Sequence, residues 1–546
     1  MRDLARSCSL WRLPSASEWV CLAAGSFLIV HYAWLMDDAF VYFRYVDNFL
    51  FLKLGLVYNA GEYVEGFSSP LWLILLTAGR ALGTNYWLLM RILGLASFAG
   101  FWMLMVATHR RLSRDEHLNL PLILLTFNYA VLSSFTSGLE TPLVQLASAA
   151  FAWHLVKPRS RLGQVLVGLS PLVRHELILP WLLSVGWARH RKGAWPRWSI
   201  FVALLSLAGW ALFRIVYYAA LLPNTFYLKD MNWIAQGLRY VWDTAFTYGL
   251  FLILPLAGLS LWVLQRRGRV LPQLGARGMM VVLALSVMAY VVKIGGDFLH
   301  YRYLAFCVPL LLLPLSGLVQ EGVASLAAKT RRWLLPAIGL AAAAVTCFLY
   351  PSALDGHPYT LRGGYLSGGV LEDAMTHRLR PELARDPWES GGKYDKRSLY
   401  REYRRRRDRH AFDRIVADYW CVRNYEHFNW YVVQSLGLTD PVLSRIDVPN
   451  QRPGHRWHLH PLGQQLAELR GKYGFGPGLY EKAIAAGDAP DWIRANREAL
   501  RVIDRRAYNR HRFFENLALA FERPGRLHLV SPPPEVPLVR VKKLGS

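Results

Sequence analysis

The feature that most constrains this chain is a series of apolar runs separated by short basic clusters, confined to its first 350 residues. A helix that crosses a bilayer needs about 20 apolar residues to cover a hydrocarbon core of roughly 30 Å. Segments 19–36, 86–108, 119–136, 141–156, 162–174, 176–188, 198–220, 244–264, 279–294, 303–319 and 333–350 meet or approach that length, which predicts about 11 transmembrane helices. The pair 162–174 and 176–188 is interrupted by Pro171, Arg174, His175 and Glu176 and is expected to form a broken helix beside a polar cavity. Residues 70–83 (PLWLILLTAGRALG) are apolar over too short a stretch to span, so an interfacial or re-entrant helix is expected there.

Basic residues set the orientation. If 70–83 does not cross, the clusters Arg2–Arg12, Arg110/Arg111/Arg114, Lys157/Arg159/Arg161, Arg189/Arg191/Lys192, Arg266/Arg267/Arg269 and Lys329/Arg331/Arg332 all fall on one side. Cytoplasmic loops carry such an excess of cations. If 70–83 does cross, every later loop flips and the pattern is lost. The expected topology places the N-terminus in the cytoplasm, with a retained first span, and everything after residue 350 outside. The outer side then collects loops 37–85, 135–142, 174–176, 221–243 and 294–302.

Composition enters at this point. The chain is 53% hydrophobic and 18% charged, which excludes a disordered chain. Its net charge of +25 first suggests nucleic acid, but the first 350 residues hold 30 Lys+Arg against 15 Asp+Glu, and these cations mark loop ends. No nucleic-acid partner is expected. Residues 351–546 hold 33 basic and 23 acidic residues with short apolar patches and Gly/Pro turns, as in a mixed α/β soluble domain, before a tail-like end at SPPPEVPLVRVKKLGS. The expected domains are therefore 1–350 in the membrane and 351–546 outside it. Five cysteines, with no CxxC and only Cys421 in the polar region, leave no internal disulfide there and no zinc spacing.

Asp37 and Asp38 follow directly on the first span. Adjacent carboxylates at an interface need cations, a metal or a raised pKa. The residues alone leave two readings open: a catalytic base or metal ligand, or a solvated loop start. The surrounding segment, DDAFVYFRYVDNFLFLKLGLVYNAGEYVEGFSSPLW (37–72), is followed in order by SGLETP (137–142), LPNTFYLKD (222–230), GGDFLHYRYL (295–304), VQSLGLTDP (433–441) and RPGHRW (452–457). Together these resemble the terminal arabinofuranosyltransferase family, mycobacterial type and bacterial relatives, within the GT-C membrane glycosyltransferases. One departure is SPLVRHE (170–176), where relatives read closer to TRPD.

That resemblance implies a GT-C-like polytopic helical fold in a bacterial inner membrane. It also implies a polyprenyl-phosphoryl sugar donor, like decaprenyl-phosphoryl arabinofuranose, and transfer of the furanose to an extracytoplasmic glycan, protein or lipid acceptor. A lipid-linked sugar phosphate already carries its leaving group, and neither GxGxxG nor GxxxxGK[ST] occurs in the chain. A carboxylate is needed to activate the acceptor hydroxyl, which points to Asp38 as base or as stabiliser of an oxocarbenium-like centre (a nucleophile or ion-pair partner if the reaction retains configuration), with Asp37 orienting it or holding a divalent cation (Mg, Mn or Ca). Charge on the departing phosphate calls for fixed donors. The candidates are Arg302, whose guanidinium suits a bidentate phosphate clamp, with His300, Arg44 and Lys229; Asp297 would take sugar hydroxyls or pair structurally with a cation. Arg44 and Lys229 read equally as snorkelling interfacial residues. Glu65, Glu140, His175 and Glu176 would bind acceptor or order loops, with helix capping an alternative for Glu140. The rivals are a GT-C transferase of mannosyl or aminoarabinose type and a polyprenyl-lipid flippase. REYRRRRDRH (401–410) reads as a solvated helix face, and WCVRNYEHFNWY (420–431) as core or as a carbohydrate platform.

Overall fold

The computed structural model describes residues 13–31, 33–113, 119–229, 232–247, 252–269, 272–297, 301–326, 337, 414–418, 421, 425, 430–435, 437–447, 459–509, 511–522 and 524–529. His300, the run 401–410, most of 420–431, RPGHRW, nearly all of the expected span 333–350 and the tail 531–546 lie outside them.

The described helices are, in order, α1 (Ala16–His31), α2 (Ala39–Leu50), α3 (Pro70–Ala81), α4 (Tyr86–Leu112), α5 (Leu120–Thr126), α6 (Tyr129–Ser133), α7 (Thr141–Val156) and α8 (Arg161–Val173). Then come α9 (Ile178–Lys192), α10 (Arg197–Tyr218), α11 (Asn224–Lys229), α12 (Ile234–Thr247), α13 (Ile253–Arg266), α14 (Leu274–Ile294) and α15 (Cys307–Ala324). Strands β1 (Arg414–Asp418) and β2 (Trp430–Gln434) precede α16 (Leu459–Tyr473), α17 (Leu479–Ala485), α18 (Asp491–Ala495), α19 (Arg497–Ala507) and α20 (Phe513–Phe521).

Among the described residues four helices, α4, α10, α14 and α15, are long and apolar enough to cross a membrane, and α1, α3, α8 and α13 are shorter apolar helices. This is a helical membrane protein, with interruptions where the sequence pattern suggested unbroken spans. Segment 119–136 is two short helices, because α5 stops at Phe127 and the Asn128 side chain turns back to accept the Val131 N–H at 3.4 Å. Residues 234–243, expected as loop, are the first part of α12, which packs on α14. The break between 162–174 and 176–188 is present: Pro171 sits in the last turn of α8, Arg174 is extended, and a 3-10 turn at His175–Leu177 leads into α9. A proline lacks the N–H that would continue the ladder, and polar neighbours supply an alternative. Residues 70–83 form the twelve-residue α3, capped by Ser69, whose hydroxyl accepts the Trp72 N–H.

Two compact units emerge, and both cut across the expected boundary at 350. The first comprises residues 1–34, 90–205 and 233–378. Within it α15 packs on α13, α14, α5 and α7, and α7 is buried on nearly every face. Such helices associate by close packing and small residues. Gly94 on α4 shows why: a Cβ there would overlap the Phe135 carbonyl.

The second unit comprises residues 35–89, 206–232 and 379–546. Its loops join the C-terminal part of the chain through buried amides. Asn59 exchanges hydrogen bonds with the Val432 backbone at 2.9 and 3.0 Å, and Asn224 donates to the carbonyls of Gly437, Leu438 and Asp440 at 3.0–3.1 Å. A buried backbone group needs a partner, and an Asn amide supplies donor and acceptor together. Strands β1 and β2 pair in parallel, Arg414 opposite Trp430 through Asp418 opposite Gln434. Helix α16 covers them, and Tyr431, Val433, Leu443, Leu462, Leu466, Ile493 and Leu500 belong to one apolar core.

Candidate functional site

Each unit holds one cluster of the residues singled out from the sequence. In the second unit, Asp37 and Asp38 lead into α2, both half-buried. Their carbonyls accept the Phe40 and Val41 N–H groups at 3.0 and 3.3 Å, so the backbone already turns into the helix. Asp38 occupies the capping position, yet its side chain makes no cap bond. The side chain of Asp37 accepts the Cys421 backbone N–H at 3.0 Å. One ligand atom from each of Asp37, Asp38 and Cys421 lies within 4.8 Å of the others. Burial, reinforced by the two aspartates, holds the Cys421 thiol well above its usual range, so it stays protonated. The positive end of α2 offsets part of the acidic charge.

The rest of α2 is pinned from below. Asp47, fully buried, receives Arg80 Nε at 3.1 Å and the hydroxyls of Tyr86 and Tyr425 at 2.8 Å each. Phe40 and Phe43 pack against Tyr425, and Phe43 stacks on Tyr86 at 3.8 Å. Arg44 donates to the carbonyls of Tyr58 and Trp430 at 2.9 and 2.8 Å and lies over the Tyr58 ring. These contacts hold Arg44 against the loop backbone. Glu65 takes Arg214 Nε, Arg214 Nη2 at 3.1 Å and Trp210 Nε1 at 3.0 Å, the contacts of a loop-ordering residue. Lys229 ends α11, half-buried.

The first unit gathers Glu140, Arg174, Glu176, Asp297 and Arg302 into one buried chain of charge. Two consecutive glycines end α14 with φ of +86° and +77°, and this turn delivers Asp297. A Cβ on Gly296 would overlap the Tyr240 ring, so only glycine fits. Arg174 donates to Glu140 at 2.6 Å and to Glu176, and lies over the Tyr303 ring at 4.3 Å. Arg302 reaches Asp297 at 3.4 Å and Glu140 at 3.9 Å. Glu140 makes no cap bond for α7, and its Oε2 has no hydrogen-bond partner among the described residues. The half-exposed His175 ring stands 3.8 Å from Glu176. Three carboxylates thus share two guanidiniums, and Arg302 is already engaged by acidic groups.

Sequence reasoning missed the contacts of Cys421, the central role of Arg174 and the Asp47–Arg80 pair. Cys421 meets Asp37 across 384 positions of chain, beyond any local spacing signal. Arg174 carried one signal, a cation set inside an apolar run.

No family model and no solved structure matches the chain. Two curated proteins do. A terminal β-(1→2)-arabinofuranosyltransferase of Corynebacterium glutamicum is 30% identical over 345 residues, covering 52% of this chain and 48% of its own length. A protein of the same name from Mycobacterium tuberculosis is 31% identical over 360 residues, covering 56% of each. The chain therefore spans about half the length of the curated relatives it matches. Over that half it is similar to two proteins named terminal β-(1→2)-arabinofuranosyltransferase, the family that the motifs beginning at Asp37 resemble.

Proposed function

We propose that this protein transfers a furanose, D-arabinofuranose, from a polyprenyl-phosphate donor to an extracytoplasmic acceptor. It does so from a multi-pass position in the bacterial inner membrane, with its N-terminus in the cytoplasm and its C-terminal region outside. The observation that carries the reading is the half-buried Asp37–Asp38 pair at the start of α2, inside the long motif shared with the arabinofuranosyltransferase pattern. The printed name of both relatives favours arabinofuranose over mannose or aminoarabinose, and transfer over lipid flipping.

In this reading Asp38 accepts the proton of the incoming hydroxyl as the bond from anomeric carbon to phosphate breaks. The donor's phosphate leaves with the electron pair. Asp37, fixed by the Cys421 N–H, orients its neighbour. Two carboxylates suit an oxygen-preferring dication such as Mg, Mn or Ca, for which the soft sulfur of Cys421 is a poor ligand. Asp37 and Asp38 would hold it, and a bound cation would supply a fixed positive charge for the phosphate. Arg302 and Asp297 are proposed to meet the donor, with Glu140 and Arg174 fixing their placement.

The test is transfer from a synthetic short-chain prenyl-phosphoryl arabinofuranose to a panel of glycan, protein and lipid acceptors. Product with an arabinofuranosyl linkage is expected, with and without chelator to resolve the cation. Transfer of mannose or aminoarabinose instead, or no sugar transfer with lipid translocation intact, would sink the proposal. A reporter fused after Ser546 should be active only outside the cytoplasm.

A further inference from the structure

Helix α20 presents an apolar stripe to its surroundings. Phe514 is 82% and Phe521 63% exposed, and Ala518 lies between them at helical spacing, one turn from each. A stripe of this kind in water is unfavourable, and it marks a contact surface. The opposite face carries Asn516, Leu519 and Ala520, all buried. That face is tied to the C-terminal end of α10, one of the membrane-length helices. Asn516 donates to the Val216 carbonyl at 2.5 Å and Asn509 to the Tyr217 carbonyl at 3.2 Å. The His511 ring stacks on Tyr217 at 4.5 Å. Helix α10 is itself largely exposed, as a lipid-facing helix would be, and its last turns hold α20.

Beside α20 a small open cleft is lined by Tyr63, Tyr218, Leu222, Asn224, Arg445 and Arg506 among others. Arg445 and Arg506 are both more than nine-tenths buried. Arg445 donates to the Pro441 carbonyl at 2.6 Å and to Asn224 at 3.2 Å, and its Nε has no partner among the described residues. Arg506 donates to the carbonyls of Leu519 and Ala520 at 2.8 and 3.4 Å, at the end of α20. Neither guanidinium has a carboxylate within 4 Å among the described residues, and the one acid of the cleft, Glu65, is taken by Arg214. Burial, with Arg506 adjacent, pulls Arg445 down to about 10, the mark of a desolvated cation. Two such cations in one cleft favour an anion.

We propose that α20 is an in-plane anchor in the bilayer leaflet at the C-terminal end of α10, and that the Arg445–Arg506 cleft takes the phosphate of an anionic phospholipid of that leaflet. Apolar chains then cover Phe514 and Phe521, and the phosphate sits at the depth where Tyr218 and Leu222 leave the span. Interfacial helices bind by this combination of buried apolar area and charge.

The test uses the full chain in nanodiscs of phosphatidylcholine with phosphatidylglycerol. A benzophenone-bearing residue replaces Phe514 or Phe521, with the same residue at Leu212 of α10 as reference. Phospholipid adducts are expected at all three positions. A peptide adduct from residues 530–546, an adduct to a second protein, or no adduct while Leu212 labels would overturn the anchor. In detergent, retained phosphatidylglycerol is counted by native mass spectrometry. About a tenfold loss is expected in Arg445→Gln and in Arg506→Gln, with phosphatidylcholine unaffected. Unchanged retention in Arg445→Gln would overturn the cleft assignment. So would equal displacement by millimolar inorganic phosphate, which would make this a free-phosphate site. Should Arg506→Gln fail to fold, because it also holds the end of α20, Arg445→Gln carries the result.

Discussion

The two acidic clusters are built on opposite principles. In the first unit, Glu140, Glu176 and Asp297 are buried and threaded between Arg174 and Arg302, so charge is balanced by contact. In the second, Asp37 and Asp38 are half-exposed and meet a backbone N–H and a protonated thiol. A compensated buried network holds geometry, and removing one member is costly because it strands the others. Carboxylates that solvent and reactants can reach are the ones suited to move a proton. On the proposed function, the second cluster carries the proton transfer, and the compensated first cluster holds Arg302 and Asp297 in place.

The sharpest way to break this comparison is Asp38→Asn. Transfer is expected to fall about 100- to 10,000-fold with the helical circular dichroism unchanged. Full activity in both Asp38→Asn and Asp37→Asn would remove the catalytic assignment. Next in size is Arg174→Ala, which strands Glu140 and Glu176 and is expected to cost about 3–5 kcal/mol of stability by unfolding midpoint. Equal loss of activity and no loss of stability would reverse the positioning role. Gly296→Ala forces a side chain into φ +77° and the Tyr240 ring, for about 1–3 kcal/mol. A neutral result there would show that the Asp297 turn is not constrained as described.

A smaller effect belongs to Asp504, which burial raises to about 8 against the pull of Arg470, with Glu62 and Asp440 adding to the rise. The folded protein holds this proton while the unfolded chain releases it near 4, so this contribution to stability is full below about 4 and is lost as pH rises through 8. Asp504→Asn should flatten the unfolding midpoint across that window, and an unchanged slope would mean Asp504 ionises freely. Smallest of all, Cys421→Ser should leave transfer within about twofold, because a buried neutral thiol beside Asp37 contributes its backbone rather than its sulfur.

Much of the helical layout was legible locally. The apolar runs at 86–108, 198–220, 279–294 and 303–319 became α4, α10, α14 and α15, and Pro171 with Arg174 marked a real break. The candidate residues were legible as types, but their partners were not. Arg44 reads as a phosphate ligand or a snorkelling residue, and no local pattern shows that its guanidinium lies against the Tyr58 and Trp430 carbonyls. Glu65 reads as an acceptor-binding or loop-ordering residue, and its partner Arg214 is not visible in the local pattern. Long-range pairing also joins loops 37–85 and 221–229 to strands and helices from beyond residue 413 in one compact unit.

What the sequence by itself determined is membrane residence, helix placement and the motif around Asp37–Asp38, because hydropathy and periodicity are properties of neighbouring residues. Only the tertiary structure decided which charges are neutralised, which glycines are obligatory and which arginines stand without acids. Burial and ion pairing join residues hundreds of positions apart, and no local pattern records them.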